Sequence, residues 1–587
     1  MSFRAPVADI LFSLRHVAGA FEAMAAGRLG DLDDDTLSQV VGEAGRFATD
    51  LIAPLNRIGD QQGAKLENGR VFMPKGFGEV YKQWAEAGWG GVTAPAEVGG
   101  MGLPHVVDVA CTEFWAGASM AFSLCPVLSE GAVRALLLTG SDALKATYLQ
   151  KLVSGEWTGT MNLTEPQAGS DLAAIRTRAE PTGDGTYRIK GQKIFITYGE
   201  HDMAENIVHL VLARLPNAPE GVKGISLFLA PKFLVESNGK LGARNDLRCV
   251  GLEHKLGIHA SPTCVMAYGE NEGASAWLVG EENRGLAAMF IMMNSARLST
   301  GLQGVGVAER ATQQALAFAK ERKQGRSAKS GNASAPILDH ADVQRMLLTM
   351  RALTHAARGI CHMTAMALDD AQGGADAAAR AQGADRAALL TPLAKAFSSD
   401  VGDEVASLGV QVHGGMGYIE ETGAAQHMRD ARIVAIYEGT NGIQAIDLVT
   451  RKLPLAGGET VRREIAMMRA VAAEAAAAAA PAFGPSAERL GAAIDALERA
   501  SRYLAKSSPG DALAGATAYL RLFSLTLGGS CLAKAGLAGL RAGDPARAAL
   551  ARFFCEKLLS VAPGLADAVE AGGISLAPYE SILAEAS

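Results

Sequence analysis

The chain has 587 residues, 49% of them hydrophobic and 20% charged, which supplies material for several packed cores and excludes bulk disorder. Its 55 basic and 62 acidic residues leave a net charge of −7, which argues against a general nucleic-acid binder. Seven scattered cysteines form no CxxC pair and no Cys/His cluster, so no metal site of standard spacing is expected, and a reducing, cytoplasmic compartment fits.

At the N-terminus, Asp9 and Arg15 break any signal-like apolar core. Residues 1–158 read mostly as helix, with apolar residues at three- and four-residue spacing. A glycine-rich loop, Gly88 to Pro104, interrupts them. The run Phe114 to Ser129 carries no charge and reads as one apolar helix, too short and too proline-broken for a transmembrane segment. Residues 159–282 change texture: TYRIKGQKIFITYG, NIVHLVLARL and KGISLFLAPKFLV are β-rich runs separated by Gly, Pro and Asn. Helical periodicity returns over 283–452, with long helices from Gly285, Asp339 and Ala384. Residues 325–336 read as a loop and 371–385 as a flexible connector by composition. The last region, 453–587, is Ala-rich, broken at Pro481 and Pro509, and looks like a separate helical bundle. No GxGxxG follows a predicted strand and no GxxxxGK[ST] occurs, which disfavours nicotinamide and P-loop enzymes.

Three segments are rich in small and polar residues where a core has no use for them. Met161 to Leu172, MNLTEPQAGSDL, allows a close backbone approach to something flat or anionic. Gln411 to Thr422, QVHGGMGYIEET, can offer amide N–H groups to a phosphate. In Arg429 to Leu448, Glu438 stands between an apolar run and Gly-Thr-Asn-Gly, a candidate for a partly buried carboxyl of raised pKa. Taken singly, each also has a plain reading: an Asx or Ser turn, a helix C-cap, and a helix N-cap or surface ion pair.

Taken together and in this order, TEPQAGSD, FITYG, ERKQGR, QVHGGMGY and MRDARIVAIYEGTNGIQ resemble the acyl-CoA dehydrogenase family over residues 40–450. The opening FRAPV and the extension resemble one bacterial branch of it. The resemblance implies an α+β fold: an N-terminal helical domain, a middle β-barrel-like domain and a C-terminal four-helix domain, here followed by an extra helical region. It implies FAD, an acyl-CoA substrate oxidised to the trans-2-enoyl-CoA, and electrons passed to an electron-transfer flavoprotein. An acyl-CoA oxidase using O2, or a non-catalytic acyl-CoA-binding protein, is the alternative on the same fold. A homodimer or dimer of dimers is implied, because the family completes its cofactor site from a neighbouring subunit.

By the same matching Glu438 is the α-proton base, and Ala296, at the minority position of the base, cannot serve. The Glu438 backbone N–H would stabilise the developing enolate oxygen, an interaction worth about 3–4 kcal/mol in other enzymes. Met161, Leu163, Thr164, Gly169, Ser170, Phe195, Ile196 and Thr197 would face the flavin. Arg322, Gln411, Val412, Gly414 and Gly415 would hold the pyrophosphate, and Thr440 and Asn441 would also touch FAD. Ser170, Asn294, Arg297 and Gly439 would contact the acyl-CoA, and the Phe114–Ser129 helix would line the acyl pocket. The acyl group itself stays open among short saturated chains, a methylthio-substituted propionyl thioester and longer fatty acyl chains.

Overall fold

The computed structural model describes residues 3–328, 331, 333–478, 481–574 and 576–584, so part of the predicted loop 325–336 lies outside the described residues. Two consecutive helices, α1 (His105–Ala118) and α2 (Met120–Thr139), form the centre of the N-terminal domain. The expected single helix over Phe114–Ser129 is therefore two. The break is at Ser119, which is extended and whose hydroxyl accepts from the Phe122 N–H at 3.4 Å. A serine that can cap the next helix competes with continuing the last one. α2 is apolar and long enough to cross a membrane, but most of its apolar stretch is buried inside the protein, as a core helix requires.

The middle domain contains strands β1 (Trp157–Asn162), β2 (Arg178–Pro181), β3 (Tyr187–Thr197), β4 (Asn206–Arg214), β5 (Ile225–Pro231), β6 (Leu247–Leu252), β7 (Thr263–Tyr268) and β8 (Ala274–Val279). The pairings β3–β8–β5–β4–β2–β3 close a five-stranded ring, with β2 bridging β3 and β4. β7 and β6 extend the sheet from the far half of β3, where Thr263 opposes Thr197. β1 lies parallel to β4 on the other side. Ile189, Val211, Phe228 and Ala276 fill the ring. The alternate residues Val208, Leu210, Leu227 and Leu229 pack outward against Ala132 and Leu136 of α2. Burial on both faces is why NIVHLVLAR reads as a continuous apolar run.

Three long helices follow: α3 (Gly285–Glu321), α4 (Ala341–Gly373) and α5 (Ala377–His413). The glycine pair Gly304/Gly402 lets α3 and α5 touch backbone to backbone, since a Cβ at Gly402 would sit 2.9 Å from the Gly304 Cα. The expected flexible connector at 371–385 is mostly helix. Its alanines favour helix, and Gly383 serves close packing, with a Cβ there falling 2.6 Å from the Ala371 amide. The short α6 (Asn441–Asp447) then precedes α7 (Glu459–Ala477), α8 (Ser486–Leu504) and α9 (Pro509–Arg541).

The extension is not a separate bundle: one continuous core joins the N-terminal helices, α3–α5 and α7–α9. Small residues make the junction, for a Cβ on Gly359 of α4 would lie 2.8 Å from the Cys531 Cβ of α9. Arg386 of α5 also donates to buried Glu464 of α7 at 2.8 Å.

Candidate active site

Glu438 sits on a tight reversal. A 3-10 turn, Arg432–Ala435, ends just before it, and Thr440 caps α6 just after, accepting from the Ile443 N–H at 3.2 Å. The cap is thus Thr440, not Glu438. Glu438 itself has φ +56°, followed by Gly439 at +86°. A left-handed non-glycine residue costs about 1–3 kcal/mol and persists only where its surroundings over-determine it. Here the Tyr437 hydroxyl donates to Gln303 of α3. On the other side Asn441 is fastened to α5 by Lys395 Nζ at 2.9 Å, by Ser399, and by its own donation to Asp400 at 2.6 Å. The Glu438 N–H, by contrast, has no acceptor among the described residues.

Burial lifts the Glu438 carboxyl to about 7, against the pull of Arg297 and Lys395. Arg297, on α3, is buried; its Nη1 donates to Asn294 Oδ1 at 3.2 Å and its Nε has no partner among the described residues. Lys395 is fully buried, which brings its ammonium down to about 8 while Glu438 pulls it up. Together they make a carboxylate that is basic near neutral pH yet flanked by two cations. Sequence reasoning missed Lys395, although a lysine inside the apolar run LLTPLAKAF was the available signal, since lysine is rarely buried unpaired.

Lys395→Met should move the lower limb of the pH–kcat/KM profile upward. Removing a cation that favours the ionised form raises the pKa of Glu438 further above 7. Activity should therefore fall most near pH 6.5 and recover above pH 8. An unshifted profile would show that Lys395 does not reach the base.

A second group gathers on the barrel. β1 runs into Leu163 and Thr164, and the Thr164 carbonyl accepts from the Ile194 N–H of β3 at 2.9 Å. This sets Thr164 against β3, at a point one residue from Phe195 and three from Thr197. Phe195 has φ +60° and is 57% exposed, so an aromatic face is held out of the barrel at a conformational cost. A Cβ at Gly169 would meet open space. The side chains of Met161 and Ile196 face inward, into the two cores, and leave only backbone to a ligand. Beneath lies an ion pair that sequence reasoning passed over: Lys193 Nζ, 0% exposed, meets Glu165 Oε1, 4% exposed, at 2.8 Å.

The third group lies elsewhere. Arg322 follows the end of α3, and Gln411 to Gly415 end α5; the two ends are joined by Phe318 and His413, stacked at 4.4 Å. Gly414 (φ +59°) and Gly415 have open space where a Cβ would stand. Val412 is buried. Arg322 stands about 37 Å along the helix from Arg297, at 1.5 Å per residue. Arg322 therefore stands a long way down α3 from Arg297 and from the Glu438 carboxyl that Arg297 faces. Asn441, expected at the cofactor, spends its polar atoms on Lys395, Ser399, Ala396 and Asp400. Its demonstrable work is to anchor α6.

A flat exposed aromatic, open glycine amides and a near-neutral carboxylate fit a flavin and the removal of a proton next to a carbonyl. Fold and site define a flavin-dependent oxidoreductase. Comparison with known proteins makes this specific. "Acyl-CoA dehydrogenase, N-terminal domain" matches residues 35–156, the middle domain 160–271 and the C-terminal domain 283–454. "Acetyl-CoA dehydrogenase C-terminal like" matches 465–578. The chain belongs to the acyl-CoA dehydrogenase family, enzymes that act on a CH–CH bond with FAD as cofactor.

It is 54% identical over 475 residues to 3-methylmercaptopropionyl-CoA dehydrogenase of Ruegeria pomeroyi, covering 81% of this chain and 80% of that one. It is 38% identical to a butyryl-CoA dehydrogenase of Syntrophomonas wolfei, over 72% and 71% of the two chains. In fold it is similar to ACDH-11 of Caenorhabditis elegans, at a TM-score of 0.77 and 22% identity over 95% and 92% of the chains.

Proposed function

We propose that this chain oxidises a short acyl-CoA, 3-(methylthio)propionyl-CoA foremost, to the trans-2-enoyl thioester, with Glu438 as the base and an electron-transfer flavoprotein as electron acceptor in the cytoplasm. The observation that carries the reading is Glu438 itself: left-handed, lifted to about 7, set between Arg297 and Lys395, with its own N–H free. The relative from Ruegeria pomeroyi supports the substrate.

The chemistry asked of the chain is modest and local. Glu438 takes the α-proton on its carboxylate. Its free N–H donates to the thioester oxygen as negative charge develops there, in a site that excludes water. Arg297 and Lys395 keep enough of the carboxylate ionised at neutral pH. Phe195 and Thr197 would orient the flavin ring, with Thr164 as a hydrogen-bond partner. When bound, FAD supplies the two-electron acceptor for the β-hydrogen. The distance along α3 supports a dimer in which Arg322 and Gln411–Gly415 of one subunit complete the site of the other.

Titrating the purified protein anaerobically with acyl-CoAs of increasing length and 3-(methylthio)propionyl-CoA tests the reading. Bleaching of the flavin band by short thioesters is the expected result. A colourless protein that cannot be reconstituted with FAD would overturn it. Arg322→Ala should leave the fold intact and weaken FAD retention about tenfold or more, since a charge-assisted phosphate contact is among the stronger polar interactions. Unchanged FAD occupancy after gel filtration would remove Arg322 from the cofactor site.

A further inference from the structure

A small cavity of about 20 Å3 lies in the N-terminal domain, room for one water. Trp84, Trp89, Asp108, Trp115, Val127 and Glu130 are among its walls. Three polar atoms on these walls are buried without a hydrogen-bond partner among the described residues: Trp84 Nε1, Trp89 Nε1 and Glu130 Oε1. Leaving such groups unpaired is costly, and buried polar atoms are normally satisfied by protein or by ordered water. Three of them around one water-sized space call for a shared partner.

The ledger of that partner closes. A water accepts two hydrogen bonds and donates two. It can accept from both indole N–H groups and donate to Glu130 Oε1, which leaves one O–H to give. One wall of the cavity, Trp115, Pro126 and Val127, comes from the Phe114–Ser129 stretch. Val127 belongs to the apolar stretch expected to line the acyl pocket. Ser295 lies near enough to the Glu130 carboxyl to hold it down against burial, and Ser295 shares one turn of α3 with Asn294 and Arg297. Trp89 and Trp115 meet edge to face at 5.5 Å, a polarisable surface of the kind that sulfur favours. Burial pushes the Asp108 and Glu130 carboxyls up, against the pull of Arg134.

We propose that this cavity is a polar end wall of the acyl pocket: one water held by Trp84, Trp89 and Glu130 presents its remaining O–H to a short acyl chain with an uncharged sulfur or oxygen acceptor near its tip. The inference rests on the short acyl-CoA reading above and names the feature that separates a thioether from its alkyl isostere. An alkyl chain of equal length leaves that O–H unpaired, and sites built to hydrogen-bond a substrate atom discriminate strongly against analogues lacking it.

The test uses three thioesters that differ only in the fourth chain atom: 3-(methylthio)propionyl-CoA, 3-methoxypropionyl-CoA and pentanoyl-CoA. Flavin reduction by the FAD-bound enzyme is followed for each. The sulfur and oxygen chains should exceed pentanoyl-CoA in kcat/KM by about tenfold. In Trp89→Phe and, separately, Trp84→Phe, which keep an aromatic ring and lose the N–H, that ratio should collapse toward one. A ratio that survives both substitutions, with all three substrates falling together, would make the tryptophans mere packing and overturn the proposal. Equal use of all three by the wild-type enzyme would overturn the end wall alone. No reduction by any of the three would overturn the short-acyl reading and this inference with it.

Discussion

Glu438→Gln is expected to lower the rate of flavin reduction by about a hundred- to ten-thousandfold while FAD stays bound, since a positioned general base contributes about 10²–10⁴. Glutamine keeps the shape and can still occupy the left-handed turn, because its backbone demand is that of glutamate. It cannot accept the proton. Stopped-flow reduction under anaerobic conditions reads the loss, and the visible flavin spectrum shows that the site is otherwise intact. Full activity in the variant would end the assignment of the base.

The same substitution should stabilise the protein, and the sign follows from the pKa. The carboxyl titrates near 7 when folded against 4.5 when free, so the folded state binds its proton more tightly. That favourable contribution is complete below about pH 4.5 and is lost as pH rises through 7. Above pH 8 the ionised carboxylate costs of order 3 kcal/mol relative to a neutral group. Glu438→Gln should accordingly raise Tm at pH 8 and change it little at pH 4.5. Loss of turnover with a pH-dependent gain in Tm is the signature of a group held strained for function. A variant that melts lower than wild type at pH 8 would mean that Glu438 stabilises the fold rather than burdening it.

Much of this site is readable in the chain because it is built from local backbone chemistry. Gly169, Gly414, Gly415 and Gly439 mark places where a side chain would obstruct a ligand or a turn, and such residues cluster in sequence. The order of helical, β and helical regions is readable from period alone. What escapes is tertiary. The φ of +56° at Glu438 is held between the Tyr437 bond to Gln303 of α3 and the Asn441 bond to Lys395 of α5, and neither partner is close in sequence. Lys395 becomes an electrostatic neighbour of Glu438 only once α5 lies under α6. Ser119 splits an apolar run that no hydropathy pattern divides. The segment 371–385 looks loose by composition, yet its glycine is there to let two helices touch. The extension reads as separate because the small residues that merge it with the main core, Gly359 and Cys531, say nothing until they meet.

Lys193→Met carries the largest expected loss of stability. Glu165 lies in the turn that sets Thr164 and Gly169. Its Oε2 accepts from the Arg176 N–H at 2.7 Å and its Oε1 from the Thr177 N–H at 3.1 Å, while Lys193 also donates to the Leu163 carbonyl at 2.9 Å. Burial alone would push the Glu165 carboxyl up, but Lys193 and these donors hold it down at about 2. Removing the lysine leaves a buried charge with no cation, a change that costs about 3–5 kcal/mol. Glu165 contributes stability that is present above about pH 4.5 and lost as pH falls toward 2, so the gap between wild type and variant should narrow in acid. Lys193→Met/Glu165→Gln should recover part of the loss, because glutamine removes the buried charge, although its single amide oxygen can accept from only one of the Arg176 and Thr177 N–H groups. FAD retention should follow stability in the single variant, since Thr164 stands on the turn that Glu165 secures. If urea denaturation at pH 7 finds the single and double variants equally stable, the pair does not brace the flavin-facing turn, and the rigidity of that turn must come from the β1–β3 backbone bond alone.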